Sequence, residues 1–482
     1  MSAAAYLAKA GCDVTVIEKN SSSGGRARKF SAEGFTFDMG PSWYWMPGVF
    51  EKFFAFFGKN VSEYYSLKRL DPSYRIYWSD GPMDVPADYE KLKVLFESIE
   101  EGSSAKLDSF LEEAKYKYEV GINKLVQKPS LKLTEFLDWD LARGILKLDV
   151  FTSIKKHVSK YFKHPKLIQL MEFPVLFLGA LPSHIPALYS LMNYADLKLG
   201  TWYPMGGMFK IAEAMESLAK ELKVKFHFNS TATRLIVSKN KITGVEISQN
   251  GKTIFIEADV VVGAGDYHHV ETLMNSQNRS YSESYWDKRV MAPSTLIYYV
   301  GINRRIKNLQ HHNLFFDVPF DEHGKQIYTV PQWPKDPLFY VCAPTVTDHS
   351  VAPADHENLF FLVPVAAGLD NDTEELRKKY FQKILKRFEE QVGEKIEDAI
   401  IYNRSYSISD FKQDYNAYKG NAYGLANTLF QTAILKPSMK SRKINNLFYT
   451  GQLTVPGPGV PPAIISGEVV SREVIKSLNL SN

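Results

Sequence analysis

The chain has 482 residues, 45% of them hydrophobic, and a formal net charge of +4. This length predicts a large core divided over two or three domains, and so small a charge excludes a nucleic-acid partner held by a basic surface. The two cysteines, Cys12 and Cys342, form no C-x-x-C motif, so we expect neither a disulfide framework nor a metal site and infer a reducing compartment.

The first thirty residues change from a helical to an extended pattern. Small apolar residues at 3–8 favour a helix that stops at Gly11, and the β-branched run at 14–17 favours a buried parallel strand that ends at Glu18. In a doubly wound fold an acid at that point bonds the ribose of a dinucleotide, and a G-x-G-x-x-G loop stands before the preceding helix. We therefore expect that loop and its strand to precede Met1. An ordinary helix and strand with a solvated acid is the alternative.

Two glycine motifs follow this strand. Gly24, Gly25 and Arg26 form the first, and glycine N–H groups can approach a pyrophosphate closely while an arginine adds positive charge. A basic surface turn is the alternative interpretation. The second motif, GFTFDMGPS at residues 34–42, predicts a short strand closed by a turn.

Residues 91–199 have a mainly helical pattern. Within them, the uncharged window at 173–195 is long enough to span a bilayer, but its three prolines favour buried turns or the lining of an apolar cavity. The segment at 149–167 places aromatic and β-branched residues on one helical face beside five lysines, as in helices that lie on anionic membranes. A phenylalanine stripe at 50–57 is a second candidate for membrane docking. For both segments, the alternative is a helix that packs on the core.

The α/β pattern returns at residue 200. Strand-like runs lead to Asn229–Leu235 and to the glycines around Gly265, and the last segment predicts a strand, a glycine- and proline-rich turn and a helix whose N-terminus could stabilise negative charge. Residues 1–90, 200–290 and 440–482 are therefore predicted to form one discontinuous nucleotide-binding domain of α/β class. Residues 291–439 are predicted to form a mixed-sheet substrate domain.

Two pairs of adjacent histidines, His268-His269 and His311-His312, are the remaining candidates for a metal site. Neighbouring residues do not point the same way on a helix or a strand, so we expect neither pair to bind a metal.

The order of these motifs, E-K-x5-G-G-R-A, G-F-x-F-D-x-G-P-S, Y-P-x-G-G-M, a strand before G-A-G-D, and G-Q-L-T-V-P-G-P-G-V-P-P, resembles the bacterial-type carotenoid desaturases over essentially the whole chain. The resemblance implies a Rossmann FAD-binding domain like that of glutathione reductase, an α+β fold overall, and a helical, membrane-facing portion at 91–199. It implies cofactor contacts by Glu18 and Lys19 on the adenosine side, Gly24, Gly25 and Arg26 at the pyrophosphate, the Ala232 backbone at the adenine, Gly265 and Gly451 near the phosphates or ribitol, and Val460 at the flavin pyrimidine.

The resemblance also implies an enzyme that desaturates phytoene and its partly desaturated products by hydride transfer to FAD and loss of a proton. A C–H bond beside a polyene is too weak an acid for a side-chain base to attack first, so the cofactor carries the step and we name no catalytic base. A carotenoid isomerase or a later-step desaturase shares these motifs. A non-catalytic lipid-binding carrier shares the fold.

The implied partners are a polyene drawn from the membrane, the membrane surface and an electron acceptor, either oxygen or a quinone. The implied location is the cytoplasmic face of the inner membrane, with peripheral attachment. Since the sequence holds no G-x-G-x-x-G, we expect this chain to bind FAD poorly unless a strand and that loop are restored before Met1.

Overall fold

The computed structural model of the chain describes residues 1–136 and 148–480. Its α-helices are α1 (Ser2–Lys9), α2 (Pro47–Phe56), α3 (Tyr89–Ile99), α4 (Ser103–Val120), α5 (Ile154–Tyr161), α6 (Pro165–Glu172), α7 (Leu191–Leu197), α8 (Phe209–Glu221), α9 (Tyr267–Thr272), α10 (Glu283–Asp287), α11 (Phe320–Tyr328), α12 (Glu374–Val392), α13 (Ile408–Tyr415) and α14 (Val460–Ser477).

The strands lie before and after the stretch of helices from α3 to α7. They are β1 (Thr15–Ile17), β2 (Lys29–Ala32), β3 (Phe35–Asp38), β4 (Leu67–Arg69), β5 (Tyr74–Trp78), β6 (Gly81–Val85), β7 (Trp202–Pro204), β8 (Lys225–His227), β9 (Ser230–Ser238), β10 (Lys241–Gln249), β11 (Lys252–Glu257), β12 (Val261–Gly263), β13 (Ser294–Ile302), β14 (His312–Phe315), β15 (Phe339–Cys342), β16 (Glu357–Val365), β17 (Ile400–Tyr406) and β18 (Leu447–Tyr449).

Two parallel strand pairs mark the predicted nucleotide-binding part. β1 pairs with β8, with Val16 opposite Phe226, and β12 pairs with β18, with Val262 opposite Phe448. A three-stranded antiparallel sheet in the order β11-β10-β9 stands beside the first pair. Parallel pairing requires crossover connections, which the long insertions between these strands provide. This pairing agrees with the predicted α/β class, and the discontinuous domain stays a prediction.

A seven-stranded mixed sheet forms the other large layer, in the order β17-β13-β16-β15-β14-β5-β6. β14 and β5 run parallel and their other neighbours pair antiparallel, which confirms the predicted mixed sheet. The predicted boundary at residue 90 is wrong in one respect, because β5 and β6 belong to this sheet. The partner of β5, β14, lies more than two hundred residues further along the chain, and such distant pairing leaves no local signal.

The stretch from residue 91 to residue 199 is helical where it is described, as predicted. The window at 173–195 forms short helical turns and α7, with Val175, Ile185 and Ala195 fully buried. This confirms the prediction of buried turns. No helix in the described ranges has the length and apolarity needed to cross a membrane.

The two stretches considered for membrane docking both turn their apolar faces inward. In α2, Phe50, Phe53 and Phe54 are at most 1% exposed. In α5, Ile154 and Val158 are fully buried while the neighbouring lysines are exposed. The apolar stripes therefore belong to the core, which was the alternative interpretation, because helical spacing alone does not reveal what covers a face.

Candidate functional site: a dinucleotide cleft at the strand ends

Three of the predicted cofactor residues lie directly after parallel strands. Glu18 follows β1, Gly265 lies two residues after β12, and Gly451 lies two residues after β18. Ligands of open α/β sheets bind beyond the carboxyl ends of the parallel strands, because the loops there converge. The topology therefore brings these three predicted positions to the appropriate ends of their strands.

The Glu18 turn connects β1 to the sheet that carries Ala232. The Glu18 carbonyl accepts a hydrogen bond of 2.9 Å from the backbone N–H of Ser230, two residues before Ala232 on β9. One carboxylate oxygen of Glu18 accepts hydrogen bonds from the Asn20 backbone and amide at 2.8 and 2.9 Å. The Lys19 amine, in contrast, donates a hydrogen bond to the Gln413 carbonyl.

The predicted glycines differ in what surrounds them. Gly25 and Gly451 have φ of +55° and +105°, and no described atom lies within 4 Å of the point where a Cβ would stand. At Gly265 the nearest such atom is 3.7 Å away, on Val270. A Cβ on Gly24 would lie 2.9 Å from Ala212 of α8, so this glycine permits helix packing. Gly25, Gly451 and Gly265 thus form backbone surfaces that a ligand can approach closely.

Arg26 is held in place but incompletely satisfied. One terminal nitrogen donates to the Asn421 carbonyl at 2.9 Å, and the guanidinium stacks 4.9 Å from the Tyr415 ring centroid. Its buried Nε has no hydrogen-bond partner among the described residues. Burial lowers the pKa of Arg26, and the nearby Asp266 carboxylate opposes that shift. A buried, partly unpaired cation next to a glycine turn is a ready site for an anionic oxygen.

A polar network that the sequence analysis missed connects the strand ends. The Asn421 side-chain oxygen accepts a hydrogen bond of 2.8 Å from Gln452, the residue after Gly451. Asp266 accepts a backbone hydrogen bond from Tyr418 at 3.0 Å and caps α9 through a 3.3 Å bond from the His269 N–H. Asp266 and Gln452 each directly follow a predicted glycine, so their place in the sequence could have indicated that they belong to the site. Asn421 had no local signal.

The last loop folds back over the start of α14. The Ser466 hydroxyl accepts from the Gly451 N–H at 3.1 Å and donates to the Val455 carbonyl at 2.8 Å. Val460 is the first residue of α14, and the next two residues are Pro461 and Pro462. Prolines have no N–H, so this helix start offers fewer donors to an anion than the sequence analysis assumed.

The GFTFDMGPS motif and the Y-P-x-G-G-M motif, residues 203–208, connect neighbouring elements of the structure. Asp38 accepts hydrogen bonds from the backbone N–H groups of Met208 and Phe209 at 2.7 and 2.9 Å, which fixes the start of α8. Burial raises the pKa of Asp38 to about 6, although these N–H groups favour its charged form. A Cβ on Gly40 would stand 2.7 Å from the Arg26 carbonyl, so this glycine lets the GFTFDMGPS motif contact the Gly24–Arg26 motif.

A narrow pocket opens between β3, the loop before α8 and the mixed sheet. Its lining includes Phe37 and Asp38 from β3, Met208 just before α8, and Cys342 and Phe360 from β15 and β16. The pocket therefore lies where the two layers meet.

The His311-His312 pair contradicts the expectation that adjacent histidines point apart. Their ring centroids are 4.6 Å apart, and a ligand atom of each lies within 4.8 Å of the Cys342 thiol and of the other. His311 precedes β14, so strand alternation does not apply to it. The Nδ1 atoms contact the Thr347 and Tyr340 hydroxyls at 2.8 and 2.6 Å. Burial lowers the pKa of His311 to about 3, which keeps the ring neutral.

Comparison with known proteins places this cleft in a family. The family model described as flavin containing amine oxidoreductase matches residues 1–475. A carotenoid 3,4-desaturase from Haloarcula japonica is 40% identical over 481 residues, which is 99% of this chain and 96% of the relative. A zeta-carotene-forming phytoene desaturase from Myxococcus xanthus is 31% identical, with 98% and 92% covered.

Among solved structures, cyclohexylamine oxidase from Brevibacterium oxydans has the same fold, with a TM-score of 0.59 at 12% identity and coverage of 99% and 96%. The chain belongs to the flavin-containing amine oxidoreductases and, within them, to the carotenoid desaturases. It is an oxidoreductase, and its cofactor is FAD.

The described residues fit this cofactor. FAD presents a pyrophosphate that needs close backbone approach and positive charge, and Gly25, Gly451 and the unpaired Nε of Arg26 provide these at the strand ends.

Proposed function

We propose that this chain is an FAD-dependent carotenoid desaturase that removes a hydride and a proton from a CH2–CH2 unit beside a C40 polyene. The observation that carries the proposal is the 40% identity to a named carotenoid desaturase, together with glycines that a ligand can approach and a partly unpaired Arg26. FAD supplies the hydride acceptor. The protein's residues hold the cofactor, align the polyene and exclude water.

For the cofactor, we propose that Glu18 binds the adenosine ribose, the Ala232 backbone meets the adenine, and Gly25 with Arg26 meets the pyrophosphate. The Ser230–Glu18 backbone hydrogen bond supports the first two contacts, since it joins Glu18 to the strand that carries Ala232. For Gly265, Gly451 and Val460 we propose contacts along the phosphates, ribitol and flavin pyrimidine. Gly24 has a packing role, and the Lys19 amine is bonded to the Gln413 carbonyl.

For the polyene, we propose the pocket between the two layers as the place where its reacting bond lies. Phe37, Met208 and Phe360 give it apolar walls. An apolar wall aligns a hydrocarbon by contact and keeps water from the cationic chain formed when hydride leaves. No residue of this pocket is assigned as a base.

Two positions of desaturation are candidates. Phytoene and its partly desaturated products are the first, supported by the Myxococcus xanthus relative at 31% identity. A later step at an already conjugated chain is the second, favoured by the 40% identity to a carotenoid 3,4-desaturase.

A paired incubation distinguishes these candidates. The protein with added FAD receives either phytoene or a fully conjugated C40 carotene, and the product is followed by absorption and mass. Each new double bond extends the chromophore and removes two hydrogens from the mass. A spectral change with unchanged mass indicates an isomerase. If both carotenes are bound and both stay unaltered, the proposal is contradicted and a carrier is favoured.

The electron acceptor is proposed to be oxygen or a quinone. Running the reaction without oxygen, with and without a soluble quinone, separates the two, because only the acceptor that is used restores turnover. Inactivity both in air and without oxygen in the presence of the quinone, with the carotene bound, would exclude both acceptors.

We also propose peripheral attachment to the cytoplasmic face of the inner membrane. Phe151 is 83% exposed just before α5, and exposed lysines of that helix follow it in the sequence. An exposed aromatic ring beside lysines suits an anionic lipid surface. We expect Phe151→Ser to weaken sedimentation with anionic vesicles severalfold. Phe56→Ser, at a phenylalanine on α2 that is 57% exposed, is the matched control and should change little. Equal losses would contradict the proposal.

A further inference from the structure

Lys436 is a buried cation that the proposed cofactor contacts do not use. It is 3% exposed, and its amine has no hydrogen-bond partner within the described part of the chain. Burial lowers its pKa to about 7, and no neighbouring charge counters that shift. Burying an ammonium without a partner is costly, so such a group calls for an occupant that satisfies it.

The amine is aimed at the glycine loop before α14. A Cβ on Gly457 would lie 2.7 Å from the Lys436 nitrogen, and Gly457 has φ of +135°, so the bare glycine allows the amine to reach the loop. The same Cβ position lies 3.2 Å from the side-chain oxygen of Asn427. That oxygen is also buried and has no partner among the described residues. A donor and an acceptor, both unsatisfied, therefore flank one glycine.

This pair stands where the helix itself supplies few donors. α14 begins at Val460, and its second and third residues are prolines without N–H groups. A reduced flavin gains negative charge at its pyrimidine ring, and a helix N-terminus ordinarily helps to stabilise charge of that kind. Here a side-chain cation beside the loop can replace the missing donors.

We propose that Lys436 and Asn427 bind the pyrimidine edge of the flavin, with the lysine amine donating to the C2 carbonyl and N1 side and the Asn427 oxygen accepting from N3–H. This rests on the proposed placement of the flavin at Val460. The edge carries an acceptor next to a donor, which complements an orphaned donor next to an orphaned acceptor. Lys436 then favours reduced FAD over oxidised FAD.

The test compares wild type with Lys436→Met, which keeps an unbranched side chain, one atom shorter, and removes its charge. We expect the FAD dissociation constant to rise about tenfold. We also expect the affinity for reduced FAD to fall about tenfold relative to the affinity for oxidised FAD, which lowers the two-electron potential by about 30 mV. Without FAD, the variant should unfold at an equal or higher temperature than wild type, since an unpaired buried charge is gone.

Two further variants complete the experiment. Lys436→Arg keeps the charge and should retain most of the wild-type potential. Lys440→Met removes an amine that lies 5.6 Å from the Phe448 ring centroid in the same segment, and it should leave affinity and potential unchanged. If wild type binds FAD and Lys436→Met has the same affinity and potential, this inference is wrong while the cofactor site stands. A wild-type chain that binds no FAD at all overturns the cofactor site and this inference together.

Discussion

Buried charges are treated differently in the two layers of this molecule. On the mixed-sheet side, Arg377 forms a two-fold interaction with Asp372, at 2.7 Å from Nε and 2.7 Å from a terminal nitrogen, and a further contact of 2.8 Å with Asp410. At the strand-end cleft, the Nε of Arg26 and the amine of Lys436 have no partner among the described residues. Both layers bury cations, but only the first completes their hydrogen bonds.

The difference separates two uses of a buried charge. A completed cluster rigidifies the layer that holds it, because every member is satisfied within the protein. An incomplete one is a cost to the free chain that only a ligand can offset. The unpaired Arg26 and Lys436 therefore support the proposed cofactor cleft without reference to any glycine motif.

The largest expected effect comes from breaking the completed cluster. Arg377→Met leaves Asp372 and Asp410 without their cation, and Asp372 is nearly buried. We expect a loss of about 3–5 kcal/mol in the free energy of unfolding, measured by urea denaturation without FAD. Lys436→Met is the comparison, with no loss expected. Similar losses in the two variants would remove the distinction between the layers.

The second effect is a pH dependence restricted to the unpaired lysine. The pKa of Lys436 is about 7 in the folded chain against 10.5 as the ordinary value. Between these pH values the unfolded chain binds more protons, so the stability of wild type rises with pH. From pH 7 to 9 we expect a gain of about 2–3 kcal/mol over Lys436→Met. The Arg377 guanidinium stays charged over this range and adds no such slope. Parallel stability curves for wild type and Lys436→Met would contradict the expectation.

Local patterns predicted those elements whose partners lie nearby in the sequence or repeat at fixed spacing. The β-branched run before Glu18, the last strand before Gly451 and the helix that starts at Val460 are all present. What failed depended on distant partners. β5 joins the mixed sheet only through β14, and the phenylalanine stripe of α2 is covered by residues such as Tyr6 of α1, whose ring centroid lies 5.8 Å from that of Phe53.

The site was predicted unevenly for the same reason. Gly25 and Gly451 have positive φ angles that few other residues tolerate, so a glycine there is a usable sequence signal. Gly265 has no such angle and is distinguished only by its place after a strand. Lys436 was missed because nothing in the neighbouring letters distinguishes a buried lysine from the exposed ones that dominate the chain. Its role is visible only when its burial and the bare Gly457 are seen together.

The smallest expected effect tests whether the glycine cleft is shaped for a ligand or only for its own turn. Gly25→Ala places a methyl group where no described atom lies within 4 Å, so the free chain should lose only about 1–2 kcal/mol from the positive φ. Gly58→Ala is the matched control, since Gly58 also has a positive φ and no described atom within 4 Å. We expect Gly25→Ala alone to weaken FAD binding about tenfold, or about 1.4 kcal/mol, in a fluorescence titration. Because the strain is similar at both positions, a difference in FAD affinity reports the ligand's approach to Gly25. An unchanged affinity would mean that the pyrophosphate lies elsewhere along the strand ends.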